Sequence, residues 1–282
     1  MNRIRPEPSL IDPLLSVAGV GVVESIEAPR STGRGPYSLF APLHYEPNYA
    51  YPLLVWLHGP GEDEHQLRRI MPSISLRNYV AVAPRGTVVA SAAVATPASV
   101  ASGASVSTLA VSSSAASSFA EVRPTGHGWR QTDGHIQAAE LRVMECLDAA
   151  AEKFHIAPER CFLAGYGCGG TMAFRIALRN PQCFAGVLSL SGPFPSGRAP
   201  LAQLHDVRRL EVFVACARAG SMYPTETVCH DLRLLHTAGM SVILREYPGD
   251  DALTPQMLAD MDRWIMEQVA GRGQGSGVRG QG

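Results

Sequence analysis

The stretch most suggestive of chemistry is residues 162–173, where a short apolar run leads into a glycine-rich turn and then into a helical pattern. The turn, residues 165–169, reads Gly-Tyr-Gly-Cys-Gly. A sharp strand–turn–helix with small flanking residues holds the nucleophilic serine of G-x-S-x-G motifs, which carry out acyl transfer. Gly165 and Gly169 meet the demand for small residues. The nucleophile position itself, however, holds Gly167.

Cys168 is the nearest substitute nucleophile, one position after Gly167. In that register, the residue two before the nucleophile would be Tyr166, which is too bulky for a close strand–helix contact. The thiol also lacks a partner histidine in the pattern that would generate a thiolate. We therefore interpret Cys168 as a structural thiol. His127 and His135 stay as alternative, out-of-place bases, although histidines are common in partly exposed loops.

The elements around this turn alternate between strand and helix. Short apolar runs bounded by turn residues are typical of strands buried on both faces of a parallel sheet. Such runs lie at residues 19–28, 37–41, 53–57, 79–83, 161–164, 185–190, 212–216 and 242–244. Helical patterns cover residues 132–154, 172–178, 226–237 and 255–269. The alternation predicts an α/β fold with a mostly parallel central sheet and helices on both faces.

Several stretches resemble motifs of one family. Residues 57–61, Leu-His-Gly-Pro-Gly, are similar to an H-G-x-G oxyanion loop, residues 190–192 to a Ser-Gly loop, and residues 260–264 to part of a closing helix. With the turn at 165–169, they make residues 37–270 resemble an α/β-hydrolase of the phospholipase/carboxylesterase family, which includes acyl-protein thioesterases. The resemblance implies the α/β-hydrolase fold and hydrolysis of carboxylic esters or thioesters, such as lysophospholipids or acyl groups, with no cofactor or metal.

The resemblance also assigns site positions. It places His58 and Gly59 in the oxyanion loop, where the histidine fixes the loop, and it makes the backbone N–H of Cys168 the second oxyanion donor. The sharp turn between strand and helix is called the elbow, and its glycines are Gly165, Gly169 and Gly170.

The catalytic triad implied by the resemblance is absent. The serine position holds Gly167, the acid position holds Gly220, and the histidine position after the last strand holds Asp251. Residues 212–225 contain no carboxylate, and the last histidine of the chain is His236, before that strand. A Ser-His-Asp mechanism needs a hydroxyl, a base and an acid to orient the base. All three are missing from their places.

Two function classes remain open. In the first, the chain is a catalytically inactive homologue, a pseudoenzyme, whose cleft holds a small ester-like or acyl ligand. In the second, it is an active carboxylic-ester or thioester hydrolase that uses residues outside the usual positions. Because three catalytic groups are missing at once, the first class is favoured. An acidic pair, Asp250-Asp251, is interpreted as solvated and not as a metal site.

The amino-acid composition limits the classes of partner that the protein could bind. The chain has 282 residues with Lys+Arg 24, Asp+Glu 25 and a formal net charge of −1. This balance argues against nucleic acid as a partner. No run approaches the roughly 20 apolar residues of a membrane span. Six cysteines without C-x-x-C spacing predict buried free thiols in a reducing, cytoplasmic compartment. The sequence does not indicate the oligomeric state.

The sequence predicts one domain with an N-terminal extension, an internal insertion and a C-terminal tail. Residues 1–18 are an N-terminal extension, and residues 19–270 form the hydrolase domain. Of the 34 residues 87–120, 27 are Ala, Ser or Val and none is charged, which predicts a flexible insertion. The glycine-rich residues 271–282 predict a disordered tail. The acidic residues 62–64 are expected to cap a helix that ends near Met71.

Overall fold

The computed structural model describes residues 23–26, 35–89, 126–197 and 199–275. Its strands are β1 (Val23–Ile26), β2 (Tyr37–Phe40), β3 (Tyr51–Leu57), β4 (Val80–Pro84), β5 (Thr87–Val88), β6 (His127–Gly128), β7 (Ile156–Tyr166), β8 (Gly186–Leu190), β9 (Glu211–Ala217) and β10 (Val242–Tyr247). Its helices are α1 (Gln66–Ile74), α2 (Asp133–Lys153), α3 (Cys168–Arg179), α4 (Leu204–Val207), α5 (Thr225–Thr237) and α6 (Pro255–Gly275).

Eight of these strands form one sheet in the order β1-β2-β4-β3-β7-β8-β9-β10. The β1–β2 and β2–β4 pairs are antiparallel, and every pair from β4 to β10 is parallel. The predicted mostly parallel sheet is thus confirmed. Because the carboxyl ends of parallel strands share one edge, the loops after β3, β7, β8, β9 and β10 gather there.

Helices cover both faces of the sheet, as predicted. In β3, Leu53, Val55 and Leu57 point into one core cluster, whereas Leu54 and Trp56 point into the other. The first cluster includes side chains of α2, α3 and α5, and the second those of α1 and α6. Burial on both faces explains why these strands read as continuous apolar runs. None of the described helices has both the length and the apolar character needed to cross a membrane.

Some boundaries differ from the sequence-based prediction. The predicted insertion at 87–120 begins with an ordered strand, because β5 pairs with β6, and residues 90–120 lie outside the described residues. Helix α6 continues to Gly275, so the first residues of the predicted tail, 271–282, are helical. The predicted extension at 1–18 lies outside the described residues.

All six cysteines are free. Cys146, Cys161 and Cys216 are buried, as predicted, and Cys168 and Cys183 are half-buried. Cys229 is exposed, because it lies on the solvent side of α5, so the prediction of burial is wrong there.

Candidate active site

The turn between β7 and α3 has the backbone of a strained elbow. Gly167 has φ 54° and ψ −120°, a combination that side-chain-bearing residues rarely adopt. Its N–H donates to the Leu190 carbonyl oxygen (2.8 Å), and its own carbonyl accepts from the Thr171 N–H (3.1 Å). The chain therefore keeps the geometry that presents a nucleophile at the carboxyl edge of the sheet, at a residue with no side chain.

Close packing explains the glycines around Gly167. A Cβ atom on Gly165 would lie 2.4 Å from the carbonyl carbon of Gly169, and one on Gly169 would lie 2.3 Å from the Leu57 oxygen. A Cβ atom on Gly170 would lie 2.3 Å from the Ser189 hydroxyl. The sequence-based assignment of these three glycines thus corresponds to real steric demands where strand and helix meet.

Among the described residues, the side chains nearest to the predicted serine position are those of Pro60 and Met222. A Cβ atom built there would lie 3.2 Å from Cδ of Pro60 and 3.3 Å from Sδ of Met222. A proline ring and a thioether thus fill the surroundings of the position predicted for the serine. Neither group accepts a proton at neutral pH.

The structure brings the two other predicted triad positions together. A Cβ atom on Gly220 would lie 2.6 Å from Oδ1 of Asp251. The Asp251 carboxylate accepts hydrogen bonds from the Ser221 N–H (2.7 Å), the Ser221 hydroxyl (2.6 Å) and the Met222 N–H (3.0 Å). Met222 links this cluster to the elbow, because its N–H donates to Asp251 and its Sδ would lie 3.3 Å from a Cβ atom on Gly167.

Asp251 is held as a carboxylate. Partial burial pulls its pKa upward, but the hydrogen bonds from Ser221 and Met222 outweigh this and lower the pKa below its usual value. An ionised carboxylate with three donors ties the loop after β10 to the loop after β9. It has a structural role at a position where the resemblance implies a histidine.

The backbone N–H groups of the predicted oxyanion loop are already used. The Gly59 N–H donates to the side-chain oxygen of Gln66 (3.1 Å), and the Gly61 N–H donates to the carbonyl oxygen of His127 (2.9 Å). Pro60, between them, has no N–H. Cys168 begins α3, where a backbone N–H has no intrahelical acceptor. Among the described residues, the Cys168 N–H makes no backbone hydrogen bond outside α3, whereas the N–H groups of Gly59 and Gly61 have acceptors.

His58 is fully buried and contacts two loops. Its Nε2 accepts a hydrogen bond from the Gly86 N–H (2.9 Å), and its Nδ1 lies 2.9 Å from the Gly59 carbonyl oxygen. Accepting at Nε2 requires a neutral ring that donates from Nδ1. Burial lowers the pKa of His58, which keeps the ring neutral. His58 is therefore a bridge between two loops and not a proton shuttle.

His58 should make stability fall with acidity. Below its ordinary pKa of about 6.5, the unfolded chain binds a proton at this residue that the folded chain does not. The contribution of His58 to the free energy of unfolding is complete above that pH. It is lost as the pH falls toward the lowered pKa of His58 in the folded chain, at no more than about 1.4 kcal/mol per pH unit. His58→Gln, whose amide oxygen can accept from Gly86, should remove this slope in denaturation curves taken from pH 7 to pH 5. If the free energy of unfolding fell equally with pH in the unmodified chain and in His58→Gln, the neutral, buried state of His58 would be contradicted.

The alternative catalytic groups are not assembled. Burial raises the pKa of the Cys168 thiol despite backbone hydrogen bonds that favour the thiolate. His135 lies at the start of α2, with its Nδ1 2.6 Å from the Thr132 hydroxyl. His127 lies in β6, its ring 6.5 Å from that of His58. Within the described residues, no hydrogen bond joins Cys168 to a histidine, and a Cys-His pair requires one.

Of the acidic residues before α1, Asp63 accepts a hydrogen bond from the His65 N–H (2.9 Å) in the turn that leads into the helix, whereas Glu64 has another role. The helix begins at Gln66, with no acidic residue in its first turn. Glu64 is buried and forms a two-pronged ion pair with Arg85, with one oxygen 2.6 Å from Nε. Together with Asp63 and His65 it forms a group of metal-ligand type. Because Arg85 already neutralises Glu64, the group carries no argument for a metal.

Comparisons with known proteins identify a family for the chain. A family model described as "Putative esterase" matches residues 33–241. Over 114 residues, the chain is 28% identical to "Putative esterase NocK" of Nocardia uniformis subsp. tsuyamanensis, which covers 37% of this chain and 32% of that protein. The chain thus matches about a third of the length of that curated relative.

Solved structures show the same fold. SOBER1 of Arabidopsis thaliana superposes with a TM-score of 0.59 at 19% identity, covering 78% of this chain and 100% of that chain. A carboxylesterase of Mesorhizobium loti gives a TM-score of 0.60 at 19% identity, covering 84% and 98%. At these identities the likeness confirms the α/β-hydrolase fold and leaves the chemistry to the residues of the site.

Proposed function

We propose that this chain, which belongs to the "Putative esterase" family, is a pseudoenzyme of that family and does not hydrolyse esters. The observation that carries the proposal is Gly167: the elbow has its strained backbone, but the residue on it has no side chain. Without a hydroxyl or thiol at that point, no acyl-enzyme can form there.

The surroundings of the elbow support the proposal. Asp251, hydrogen-bonded to Ser221 and Met222, is a weaker base than an ordinary carboxylate, because these hydrogen bonds lower its pKa, and it is therefore a poor substitute for a catalytic histidine. The N–H groups of Gly59 and Gly61 have internal acceptors, so the loop stabilises an oxyanion poorly without rearrangement. The nucleophile, the base and one oxyanion donor are all affected, and each contributes separately to hydrolysis.

The proposed role is binding in place of turnover. The loops that end β3, β7, β9 and β10 still meet around Gly167, and in this proposal their cleft holds a small ester-like or acyl ligand, such as a lysophospholipid or a fatty acyl group. A cytoplasmic location is part of the proposal, since six cysteines without a disulfide are typical of a reducing compartment.

Turnover of an activated ester tests the proposal. The purified chain is incubated with para-nitrophenyl butyrate, alongside Cys168→Ala and His127→Ala variants, which remove the alternative nucleophile and base. We expect no saturable hydrolysis by any of the three and equal background rates. Saturable hydrolysis by the unmodified chain that disappears in either variant would establish the active-hydrolase class.

A further inference from the structure

A second cavity lies away from the elbow, between α2, α3 and the segment that precedes α4. It has a volume of about 280 Å³. Its apolar wall includes Ile136, Leu178, Ala199 and Pro200. Arg175 is the buried charged side chain on its wall, seven residues along α3 from Cys168, or about 10 Å at the helical rise. The cavity therefore shares no wall residue with the elbow or the oxyanion loop.

Arg175 is 8% exposed as a residue, and the hydrogen bonds of its guanidinium are to neutral groups. Its Nε donates to the side-chain oxygen of Gln131 (2.6 Å), and its Nη2 donates to the carbonyl oxygen of Ser196 (2.7 Å). Within the described residues, Nη1 has no hydrogen-bond partner and no carboxylate pairs with the side chain. Burial lowers the pKa of Arg175, with no acidic neighbour opposing the shift.

An uncompensated buried cation is costly, because desolvation is not offset by a counter-charge. The other charges on the cavity wall do not supply one. Arg179 is paired with Glu140 (3.3 Å) and half-exposed, and Asp133, at the first residue of α2, has an interaction of its own elsewhere. One open positive charge beside an apolar wall matches a ligand with one negative charge and an aliphatic body.

We propose that this cavity binds a small aliphatic carboxylate, with its carboxylate on Nη1 of Arg175 and its hydrocarbon chain along Ile136 and Leu178. A monoanion fits better than a dianion such as phosphate, because a single guanidinium nitrogen is open and most of the wall around it is apolar. The volume lies at the small end of ligand cavities, which limits the ligand to a short chain. The proposal does not rest on the loss of hydrolysis, since the elbow forms none of this wall.

An NMR titration of the full chain with hexanoate, and separately with hexanamide, tests the site. These probes have similar shapes and differ in charge. We expect hexanoate to bind in the millimolar range and hexanamide at least about tenfold more weakly, because a charge-assisted hydrogen bond to Arg175 is lost. Equal binding of the two probes, or no binding of hexanoate, would overturn the proposal.

Matched variants test whether Arg175 supplies the positive charge that binds hexanoate. Arg175→Met should abolish the preference for hexanoate, whereas Arg179→Gln, at the paired and half-exposed arginine, should change its affinity by less than about twofold. Preserved preference in Arg175→Met would refute the assignment. If that variant fails to fold, Ala202→Phe, at an exposed wall position, should block hexanoate by filling the cavity. Displacement of hexanoate by an equal concentration of inorganic sulfate would overturn the carboxylate assignment in favour of a general anion site.

Discussion

Restoring three side chains should give this chain measurable ester hydrolysis. In the variant Gly167→Ser/Gly220→Asp/Asp251→His, the serine stands on the strained turn (φ 54°, ψ −120°) that presents nucleophiles in this fold. The new histidine and aspartate stand at the positions that already meet around Met222. We expect para-nitrophenyl butyrate turnover at least about a hundredfold above that of the unmodified chain, the lower range for positioned acid–base catalysis.

The geometry specifies which combinations should work. Because a Cβ atom on Gly220 would lie 2.6 Å from the Asp251 carboxylate, Gly220→Asp alone forces two carboxylates together and should destabilise the fold. Adding Asp251→His replaces that repulsion with an acid–histidine pair. A fourth change, Met222→Ala, should raise the rate further, since Sδ of Met222 lies 3.3 Å from the position of the serine Cβ.

The control is the same background without the nucleophile, Gly220→Asp/Asp251→His with Gly167 retained. It should fold as the triple variant does and show only background hydrolysis. A well-folded triple variant with no gain, with or without Met222→Ala, would show that these three positions do not form a catalytic site. Circular dichroism and thermal unfolding establish folding in each case.

Removing Arg85 should destabilise the fold by about 3 kcal/mol. Arg85→Met leaves the Glu64 carboxylate, which is 2% exposed, without its ion-pair partner. An unpaired buried charge costs several kcal/mol, and Met preserves much of the aliphatic volume. Chemical denaturation of the two proteins at neutral pH measures the difference in free energy of unfolding.

A surface ion pair provides the comparison. Arg69 pairs with Glu62, and both side chains are substantially exposed, so Arg69→Met should cost less than about 1 kcal/mol. The double variant Glu64→Leu/Arg85→Met removes the buried carboxylate together with its partly exposed partner and should recover most of the loss. Equal effects of Arg85→Met and Arg69→Met, or no recovery in the double variant, would contradict a buried pair.

The sheet and its helices could be predicted from local pattern alone. Runs such as residues 53–57 are apolar throughout because both faces of β3 are buried, and helical periodicity marks α2 because only one of its faces is. The spacing of Gly165, Gly167 and Gly169 predicted a close strand–helix approach, and the distances at these positions explain it.

Contacts between distant residues left no local signal. Glu64 was assigned to a helix cap because acidic residues commonly precede helices, but Arg85, 21 residues later, determines its role. The use of the loop N–H groups by Gln66 and by the His127 carbonyl likewise depends on tertiary packing. Pro60 was a readable signal, since a proline in the oxyanion loop removes a donor. The position of Met222 beside the elbow could not be predicted from the sequence.

Covalent labelling tests the central claim most directly. The unmodified chain is incubated with a fluorophosphonate, which phosphonylates activated serine nucleophiles, and its intact mass is measured. The triple variant with serine at position 167 serves as the reactive reference. We expect no mass addition to the unmodified chain and an adduct at the new serine of the variant. A stoichiometric adduct on one side chain of the unmodified chain would contradict the absence of a nucleophile.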